Sequence, residues 1–149
     1  MPSKPARPAY FASLASERPD IAMCRASAYL ARAADAHAAR NGLGVGQHLV
    51  LKMLDTVGPC SQQVLSEELR IDRSVMVNVC DDLERSGFVR RERNPDDRRS
   101  YAVTLTEEGR ERLATAESTV PAFLEETFAP LTAGERAQLT SLVGKLMRL

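Results

Sequence analysis

The stretch RNPDDRRSYAVTLT, residues 93–106, places two aspartates and two arginines beside residues that favour a tight turn. Asn94 and Pro95 suit a turn because asparagine bonds to its own backbone and proline presets φ. A solvated loop would have the same composition. The surrounding chain must therefore show whether these charges face a binding partner.

On a strand that leaves the turn, alternation places Asp97 and Arg99 on one side and Arg98 on the other. The Asp97 carboxylate is therefore predicted to orient the Arg99 guanidinium. An arginine held in this way suits the minor groove of DNA, since a narrow groove enhances the negative potential. Arg98 is predicted to contact a phosphate.

Arg90 and Arg91 precede the turn and are predicted to contact DNA as well. Residues 85–100 contain six arginines against three acidic residues, a local net charge of +3, whereas the whole chain has a net charge of zero. Arginine suits this role because its planar fork matches phosphates and base edges. Only three residues of the chain are lysines, namely Lys4, Lys52 and Lys145. An arginine-rich composition can equally reflect genomic base composition.

Two short helices are predicted before these arginines. Ser61 is expected to cap a helix that runs to about Leu69, and Asp72 to cap the next helix, which Gly87 ends. One side of the second helix is apolar, with a stripe made of Val75, Met76, Val79, Cys80 and Leu83. Two helices joined by a short turn in this way have the form of a helix-turn-helix.

A β-hairpin is predicted to follow the second helix directly. Its strands are expected at residues 88–92 and 101–105, with the arginine-rich turn between them. The returning strand should present one face made of Tyr101, Val103 and Leu105. A helix-turn-helix followed by a hairpin is a winged helix.

A helix-turn-helix places its second helix in the major groove of DNA, where the first turns reach the base edges. The residues predicted to do so are Arg73, Ser74, Val77 and Asn78. Arginine can bond to guanine and asparagine to adenine, while a valine methyl group can contact the thymine methyl group. The alternative is that these residues form only the exposed face of an amphipathic helix.

Further helices flank this unit on both sides. The alanine-rich residues 19–40 are predicted to form one helix and residues 46–56 a second. Thr106 is predicted to cap a long helix that Pro121 interrupts, and the sequence TAGE, residues 132–135, is a capping box that opens the last helix. One side of this last helix is apolar, with Leu139, Leu142, Val143, Leu146 and Leu149. Because these apolar sides lie outside the winged helix, we expect a homodimer to bury them.

The remaining features argue against an enzyme, a secreted protein and a membrane protein. The chain has 149 residues, 44% of them hydrophobic, which is enough for one folded domain. It contains no common motif of hydrolases, nucleotide-binding proteins or metalloproteases, and no cofactor or metal is expected. The apolar runs are too short for a membrane helix, and three distant cysteines indicate a reduced, cytoplasmic protein.

Residues 65–113, LSEELRIDRSVMVNVCDDLERSGFVRRERNPDDRRSYAVTLTEEGRERL, resemble the winged helix-turn-helix of the MarR family of bacterial transcription regulators. The motifs that carry this resemblance are LERSGFVRR at the end of the recognition helix and DDRRSYAVTLTEEG through the wing. It covers about residues 61–113, and the helices on both sides agree in layout. The resemblance implies a mainly α fold with a small β-hairpin wing, in the α+β class.

The expected organisation is a mobile N-terminal arm at residues 1–18 and a single domain at 19–149. Within that domain, the winged helix-turn-helix would take about residues 44–105. The dimerisation helices would take about residues 19–41 and 107–149.

The resemblance also implies a function. Such a protein is a homodimer that binds a palindromic operator, usually represses a nearby gene, and releases DNA when a phenolic or lipophilic small molecule binds. It assigns the wing's aspartate–arginine pair to Asp97 and Arg99. The chain departs from the family pattern at Val77 and Asn78, where threonine and a basic residue are common, and at Asp82, where a basic residue is common. These departures bear on the operator sequence.

In the family the effector binds between the dimerisation helices and the DNA-binding lobe, so Tyr29, His48 and Met53 are candidates for its pocket. Two alternative functions stay open. A redox or metal sensor on the same scaffold would use Cys24, or His37 with His48. A protein-interaction module without DNA binding would account for the aspartates on the recognition helix (Asp81 and Asp82) and for the zero net charge.

Overall fold

The computed structural model describes residues 9–149 and shows a mostly helical chain with one small antiparallel sheet. The helices are α1 (Tyr10–Glu17), α2 (Pro19–Asn41), α3 (Val45–Val57), α4 (Gln62–Leu69), α5 (Arg73–Arg85), α6 (Glu107–Glu117), α7 (Val120–Thr127) and α8 (Ala133–Met147). The strands are β1 (Cys60–Ser61), β2 (Val89–Arg93) and β3 (Tyr101–Leu105), paired in the order β1-β3-β2. The predicted fold class, mainly α with a β-hairpin wing, is confirmed. The sequence did not predict the two-residue strand β1.

Polar caps begin several helices at the predicted residues. Ser61 and Thr106 each accept a hydrogen bond from the backbone N–H three residues later, over 3.2 and 3.0 Å, and so begin α4 and α6. The capping box of Thr132 and Glu135 begins α8. Asp72 precedes α5 as predicted, but its side chain makes no capping hydrogen bond with any described residue.

One buried hydroxyl group holds the turn between α4 and α5. Ser66 is 6% exposed and donates its hydroxyl hydrogen to the carbonyl oxygen of Ile71. The Ile71 N–H in turn donates to the Ser66 carbonyl over 3.1 Å. Arg70 takes the left-handed conformation, with φ of 53°, which lets the chain reverse. These contacts fix the position of α5, the recognition helix, relative to α4.

The hydrophobic core lies between α3, α4, α5, α6 and the sheet. α5 contributes three almost fully buried side chains, those of Met76, Cys80 and Leu83. Val79 is half-buried, but Val75, which was predicted in the same stripe, is 48% exposed. The prediction for Val75 is wrong because α5 buries only a narrow side, and Val75 lies on the flank of that side.

The returning strand β3 also differs from the prediction at one end. Val103 is fully buried and Leu105 packs against the core, but Tyr101 is 53% exposed. Tyr101 pairs with Arg93 at the far end of the hairpin, where the sheet extends beyond the helices. Alternation along a strand predicts a shared face, but only the part of that face that meets a helix is buried.

The flanking helices α1, α2, α7 and α8 have no buried residue in the described part of the chain. The predicted break before Pro121 is confirmed, since α6 ends at Glu117 and Pro121 lies in the first turn of α7. On α8 and just beyond it, Leu142, Leu146 and Leu149 are 54, 70 and 81% exposed. Large exposed apolar surfaces of this kind mark sites of interaction.

Part of the predicted N-terminal arm, residues 1–8, lies outside the described residues. Within the rest of it, Tyr10–Glu17 form α1. Between residues 9 and 149, no helix has both the length and the apolar character that a membrane span requires.

The N-terminus of α6 packs closely against the start of the hairpin. Thr106 donates its N–H to the Phe88 carbonyl over 3.1 Å and its hydroxyl hydrogen to the Gly87 carbonyl over 2.6 Å. A Cβ atom at Gly109 would overlap the Phe88 carbonyl oxygen and lie 2.8 Å from Cδ1 of Leu105. Only glycine therefore fits at this crossing.

We expect Gly109→Ala to lower the free energy of unfolding by about 1–3 kcal/mol, because backbone atoms must move to accommodate the methyl group. Gly134→Ala is the matched control, since a Cβ there meets no described atom within 4 Å. Urea denaturation of both variants followed by circular dichroism would measure the difference. Equal stability of the two variants would contradict the close packing at Phe88.

Candidate nucleic-acid interface

The open side of α5 carries the residues predicted to reach base edges. Arg73, Ser74, Val77 and Asn78 are all exposed, and Val77 is 43% exposed. Their orientation follows from the buried side of the helix, which turns these residues away from α3 and the sheet. The side chain of Arg73 is 75% exposed, with the nearest carboxylate, that of Glu67, at 3.9 Å. A surface with both hydrogen-bonding and apolar groups is thus available for contact.

The wing, which consists of β2, β3 and the residues between them, has two successive turns at its tip. The Asp96 N–H donates to the side-chain oxygen of Asn94 over 3.0 Å, which confirms the predicted asparagine turn. The Ser100 N–H then donates to the Asp97 carbonyl over 3.1 Å. The tip closes where the Asn94 N–H donates to the Ser100 carbonyl over 3.0 Å.

Asp97 does not hold the Arg99 guanidinium as predicted. Its carboxylate accepts a hydrogen bond from the backbone N–H of Arg99 over 2.9 Å. The prediction assumed that these residues lie on a strand, whereas they lie in a turn, where an aspartate bonds to the backbone two residues later. Asp97 therefore fixes the backbone from which the Arg99 side chain extends.

Arg98 and Arg99 are both exposed at the wing tip. No carboxylate in residues 9–149 lies within 4.0 Å of either guanidinium. Two adjacent arginines with no ion-pair partner among the described residues present concentrated positive charge. A phosphate backbone is the kind of surface that such charge binds.

Arg90 and Arg91 lie in different environments, although both were predicted from the sequence to contact DNA. Arg90 is paired with Glu92, and its side chain is 60% exposed. The side chain of Arg91 is only 22% exposed and is bonded to Gln62, Asp81 and Glu84. The prediction that Arg91 contacts DNA directly is therefore contradicted, because its donors are engaged within the chain.

A cavity of about 330 Å³ lies between α2, α3, α6 and α7. The ring of His37 stacks on that of Phe123 in its wall, with ring centroids 4.5 Å apart. Nε2 of His37 lies 3.0 Å from the hydroxyl oxygen of Thr119 and 3.2 Å from the side-chain nitrogen of Asn41. The cavity thus combines an aromatic wall with a few polar groups, as small-molecule sites do.

Of the three predicted effector residues, only His48 lines this cavity. Tyr29 is 58% exposed and lies about two turns before His37 on α2, and Met53 packs against the hydrophobic core. The sequence did not predict that one wall of this cavity is formed by His37, Asn41, Thr119 and Phe123. The available signal was the pair of polar residues four positions apart at the end of an alanine-rich helix, which places both on one side.

A charged cluster closes one side of the cavity. Nε2 of His48 lies 2.7 Å from Oε1 of Glu117, and the Lys52 ammonium group donates to both carboxylate oxygens of Glu117 over 2.9 Å. The hydrogen bonds from Lys52 and then His48 lower the pKa of Glu117. Because His48 and Lys52 lie on α3, the cluster ties that helix to the end of α6.

The three cysteines lie in different environments. Cys24 is exposed, Cys60 is half-buried and Cys80 is buried. Burial raises the pKa of the Cys60 thiol, and it raises the pKa of Cys80 to about 11. Among residues 9–149, no three His, Cys, Asp or Glu side chains form a group that could hold a metal ion. A redox response on this scaffold would therefore begin at Cys24.

We expect iodoacetamide at pH 8 to modify Cys24 well before Cys80. A thiol with a pKa of about 11 is roughly 0.1% thiolate at that pH, and the thiolate is the reactive form. Mass spectrometry of peptides at successive times would give the order of modification. Modification of Cys80 as fast as that of Cys24 in the folded protein would contradict the burial of the Cys80 side chain.

The family that the wing motifs resemble is also the one found by comparison with known proteins. Residues 43–101 match the model of the MarR family. YkoM of Bacillus subtilis (strain 168), described as an uncharacterised HTH-type transcriptional regulator, is 32% identical over 105 residues, which cover 70% of this chain and 68% of YkoM. YdgJ of the same organism, with the same description, is 30% identical over 105 residues, and the chain spans 64% of its length.

Solved structures agree with this assignment. The transcriptional repressor CouR of Rhodococcus jostii RHA1, bound to a 23-mer DNA duplex, is 29% identical with a TM-score of 0.81, over 89% of this chain and 94% of CouR. A probable transcriptional regulator from Pseudomonas aeruginosa is also 29% identical, with a TM-score of 0.75 over 83% of this chain and 92% of its own. The winged helix, the flanking helices and the identity to YkoM together show that this chain belongs to the MarR family of transcriptional regulators, which are not enzymes.

Proposed function

We propose that this chain is a sequence-specific regulator of transcription that binds double-stranded DNA, acting in the cytoplasm as a homodimeric repressor on a palindromic operator. The observation that carries the proposal is the wing tip, where Arg98 and Arg99 are exposed with no carboxylate of the described chain within ion-pair distance. The open side of α5 belongs to the same lobe. The likeness to CouR, whose structure includes a DNA duplex, supports DNA binding, and the winged helix suggests the mode of docking.

In this mode the recognition helix enters the major groove. Arg73 can bond to guanine and Asn78 to adenine, while the methyl groups of Val77 contact that of thymine. Ser74 is short enough to bond either to a base edge or to a phosphate. These contacts read the operator sequence, whereas the wing contributes position and affinity.

The wing arginines have separate roles. Arg99 enters the minor groove, where the backbone turn fixed by Asp97 directs its side chain. Arg98 contacts a phosphate, and Arg90 is a second candidate for a phosphate contact because its side chain is 60% exposed. Phosphate contacts of this kind supply most of the affinity that does not depend on sequence.

A homodimer would bury the apolar surface of the flanking helices. Leu142 and Leu146 on α8 and Tyr10 and Phe11 on α1 are between 46 and 70% exposed in the single chain. Closed two-fold symmetry is the commonest way to cover such a surface. Two recognition helices related by that symmetry would meet half-sites about one DNA turn apart, which explains why a palindromic operator is proposed.

The cavity between α2, α3, α6 and α7 is the proposed site for a small phenolic or lipophilic effector. The stacked rings of His37 and Phe123 offer a flat aromatic wall, and Thr119 and Asn41 offer polar groups. A ligand there would contact both the flanking helices and α3. A ligand that binds more tightly to a dimer whose recognition helices do not fit the operator would lower DNA affinity. The size of the effect is set by the difference between its affinities for the two dimer conformations.

The structure weakens the case for a protein-interaction module. Its main support was the pair of aspartates on the recognition helix, but Asp81 is bonded to Arg91 over 2.6 Å and Asp82 to Arg85 over 2.8 Å. Both charges are thus partnered within the lobe. Steep salt dependence of DNA affinity would decide the matter, since each phosphate contact contributes a slope of about −0.9 in log K against log salt.

We expect Arg99→Ala to weaken binding to the intergenic DNA beside the protein's own gene by about tenfold, since one minor-groove arginine contributes roughly 1–3 kcal/mol. Fluorescence anisotropy titration at fixed salt would measure the affinity. Arg40→Ala is the matched control, because Arg40 is an exposed arginine in the last turn of α2, outside the winged helix. Light scattering should give the same mass for both variants and the wild type. Unchanged affinity of the Arg99 variant would overturn the proposed role of the wing.

We expect Ala34→Leu to remove the response to effectors while leaving DNA affinity without ligand near that of the wild type. Ala34 lines the cavity, and a leucine there would occupy part of its volume. A panel of phenols and aromatic acids, screened by melting temperature and then for DNA release, would supply the ligand. The control is Ala36→Leu, at an exposed position of α2 that does not line the cavity. If a ligand releases the Ala34→Leu variant from DNA as effectively as it releases the wild type, the effector site lies elsewhere.

A further inference from the structure

Arg91 is the residue at which the wing, α4 and the recognition helix meet. Its Nε and Nη2 atoms donate to Oε1 of Gln62, the first residue of α4, over 2.9 and 2.7 Å. Nη2 also donates to Oδ1 of Asp81 over 2.6 Å, and Nη1 donates to a carboxylate oxygen of Glu84. One guanidinium group therefore joins three elements of the lobe.

The backbone at Arg91 takes part in the same contact. β2 is an edge strand, so its N–H groups that face away from β3 need a partner outside the sheet. The Arg91 N–H finds one in Oε1 of Glu84, over 3.1 Å. Glu84 thus accepts hydrogen bonds from both the backbone and the side chain of Arg91. The outer edge of the wing is held directly against the recognition helix.

This contact lies between the two surfaces proposed to meet DNA. Asp81 is three residues after Asn78 and four after Val77, so it lies about one turn further along the same helix. Arg91 lies on the strand that leads to the wing tip at Arg98 and Arg99. The core joins α5 to the base of the sheet, and Arg91 adds a second connection between the recognition helix and the strand that leads to the wing tip.

The charges of the cluster matter as much as its geometry. Asp82 on α5 has its own partner in Arg85, but Asp81 and Glu84 have ion pairs only with Arg91 among the described residues. Burial disfavours the charged guanidinium, yet the hydrogen bonds to Asp81 and Glu84 outweigh it, and the pKa of Arg91 is raised. Without Arg91, two unpaired carboxylates would lie beside the proposed path of the phosphates. At 0.1 M salt, charges within about 10 Å still repel one another appreciably.

We propose that Arg91 is a positioning residue for DNA binding, which acts through Asp81, Glu84 and Gln62 and not through a contact of its own with DNA. It holds the wing at a fixed place on the recognition helix and neutralises the two carboxylates that would otherwise oppose the approach of DNA. The inference rests on the proposed DNA-binding function. It assigns to this arginine a role that differs from those of Arg98 and Arg99.

A lysine could not replace this arginine fully. The guanidinium presents its donors in a rigid planar fork, and here three of its nitrogens serve two carboxylates and one amide oxygen at once. An ammonium group keeps the charge but cannot span all three acceptors in this geometry. Arg91→Lys therefore separates the geometric contribution from the electrostatic one.

The test is a double-mutant cycle between Arg91 and its two carboxylate partners. DNA affinity would be measured for the wild type, R91Q, D81N/E84Q and the triple variant, with DNA selected by the wild type from a random-sequence pool. We expect R91Q to weaken binding by about tenfold, which corresponds to a loss of roughly 1.4 kcal/mol in binding free energy. Removing the carboxylates should restore about threefold of that loss in the R91Q background, which is the electrostatic part, and change little in the wild-type background.

A direct phosphate contact predicts a different result. In that case D81N/E84Q would raise affinity by the same factor in both backgrounds, and the additive result would overturn the proposal. Wild-type affinity of R91Q would overturn it as well. If R91Q does not fold, R91K provides the comparison, with an expected loss of about threefold that reflects the missing fork. Full affinity of R91K would contradict the geometric part.

A second measurement does not depend on DNA. Hydrogen exchange of the free protein should be faster in R91Q than in the wild type at the amide of residue 91 and its neighbours in β2, because the wing edge loses its anchor on α5. Exchange in α8 should not change. Unaltered exchange in β2 would overturn the anchoring role even if DNA binding were confirmed. Conversely, if exchange in β2 is faster in R91Q but the wild type binds no DNA, the anchoring role is supported and the proposed function is overturned.

Discussion

The narrow buried side of α5 determines which residues of the recognition helix face outwards. Met76, Cys80 and Leu83 are at most 1% exposed and fix the rotation of the helix about its own axis. Complete burial of a methionine or leucine side chain is favourable by about 1.5–3 kcal/mol. Rotation of α5 about its axis would expose these side chains and lose several such contributions. The rotation that buries these side chains also presents Ser74 and Asn78 to the outside. Packing in the core thus sets the surface proposed to read DNA.

Local features of the chain allowed much of the fold to be predicted. The caps at Ser61, Thr106 and Thr132 and the break at Pro121 depend on neighbouring residues only, and all of them were found where the sequence indicated. The errors arose where burial depends on distant parts of the chain. Val75 has the hydrophobicity of a core residue but no helix covers it, and β1 is too short to leave a pattern of its own.

The functional residues were harder to predict for a related reason. The sequence located the arginine-rich wing and the turn at Asn94, but it did not show which acidic residue would meet which arginine. Arg91 is bonded to a residue 29 positions earlier, and His37 contacts one 82 positions later. Pairings over such distances follow from the way the helices pack. Charge and spacing indicated the proposed binding surface, whereas only the folded chain separated the arginines that face outwards from Arg91, which is bonded within the lobe.

The proposed DNA surface carries its positive charge entirely on arginine. Of the chain's three lysines, Lys52 lies beside the cavity, Lys145 on α8 and Lys4 outside the described residues. Arginine stays protonated at any pH a cell experiences, and lysine acylation, which removes positive charge, has no target among the residues proposed for this surface. The attraction towards phosphates is therefore constant through changes in acidity and acetyl-group supply. Regulation of such a surface has to change where the arginines are placed, because their charge cannot be altered by these routes.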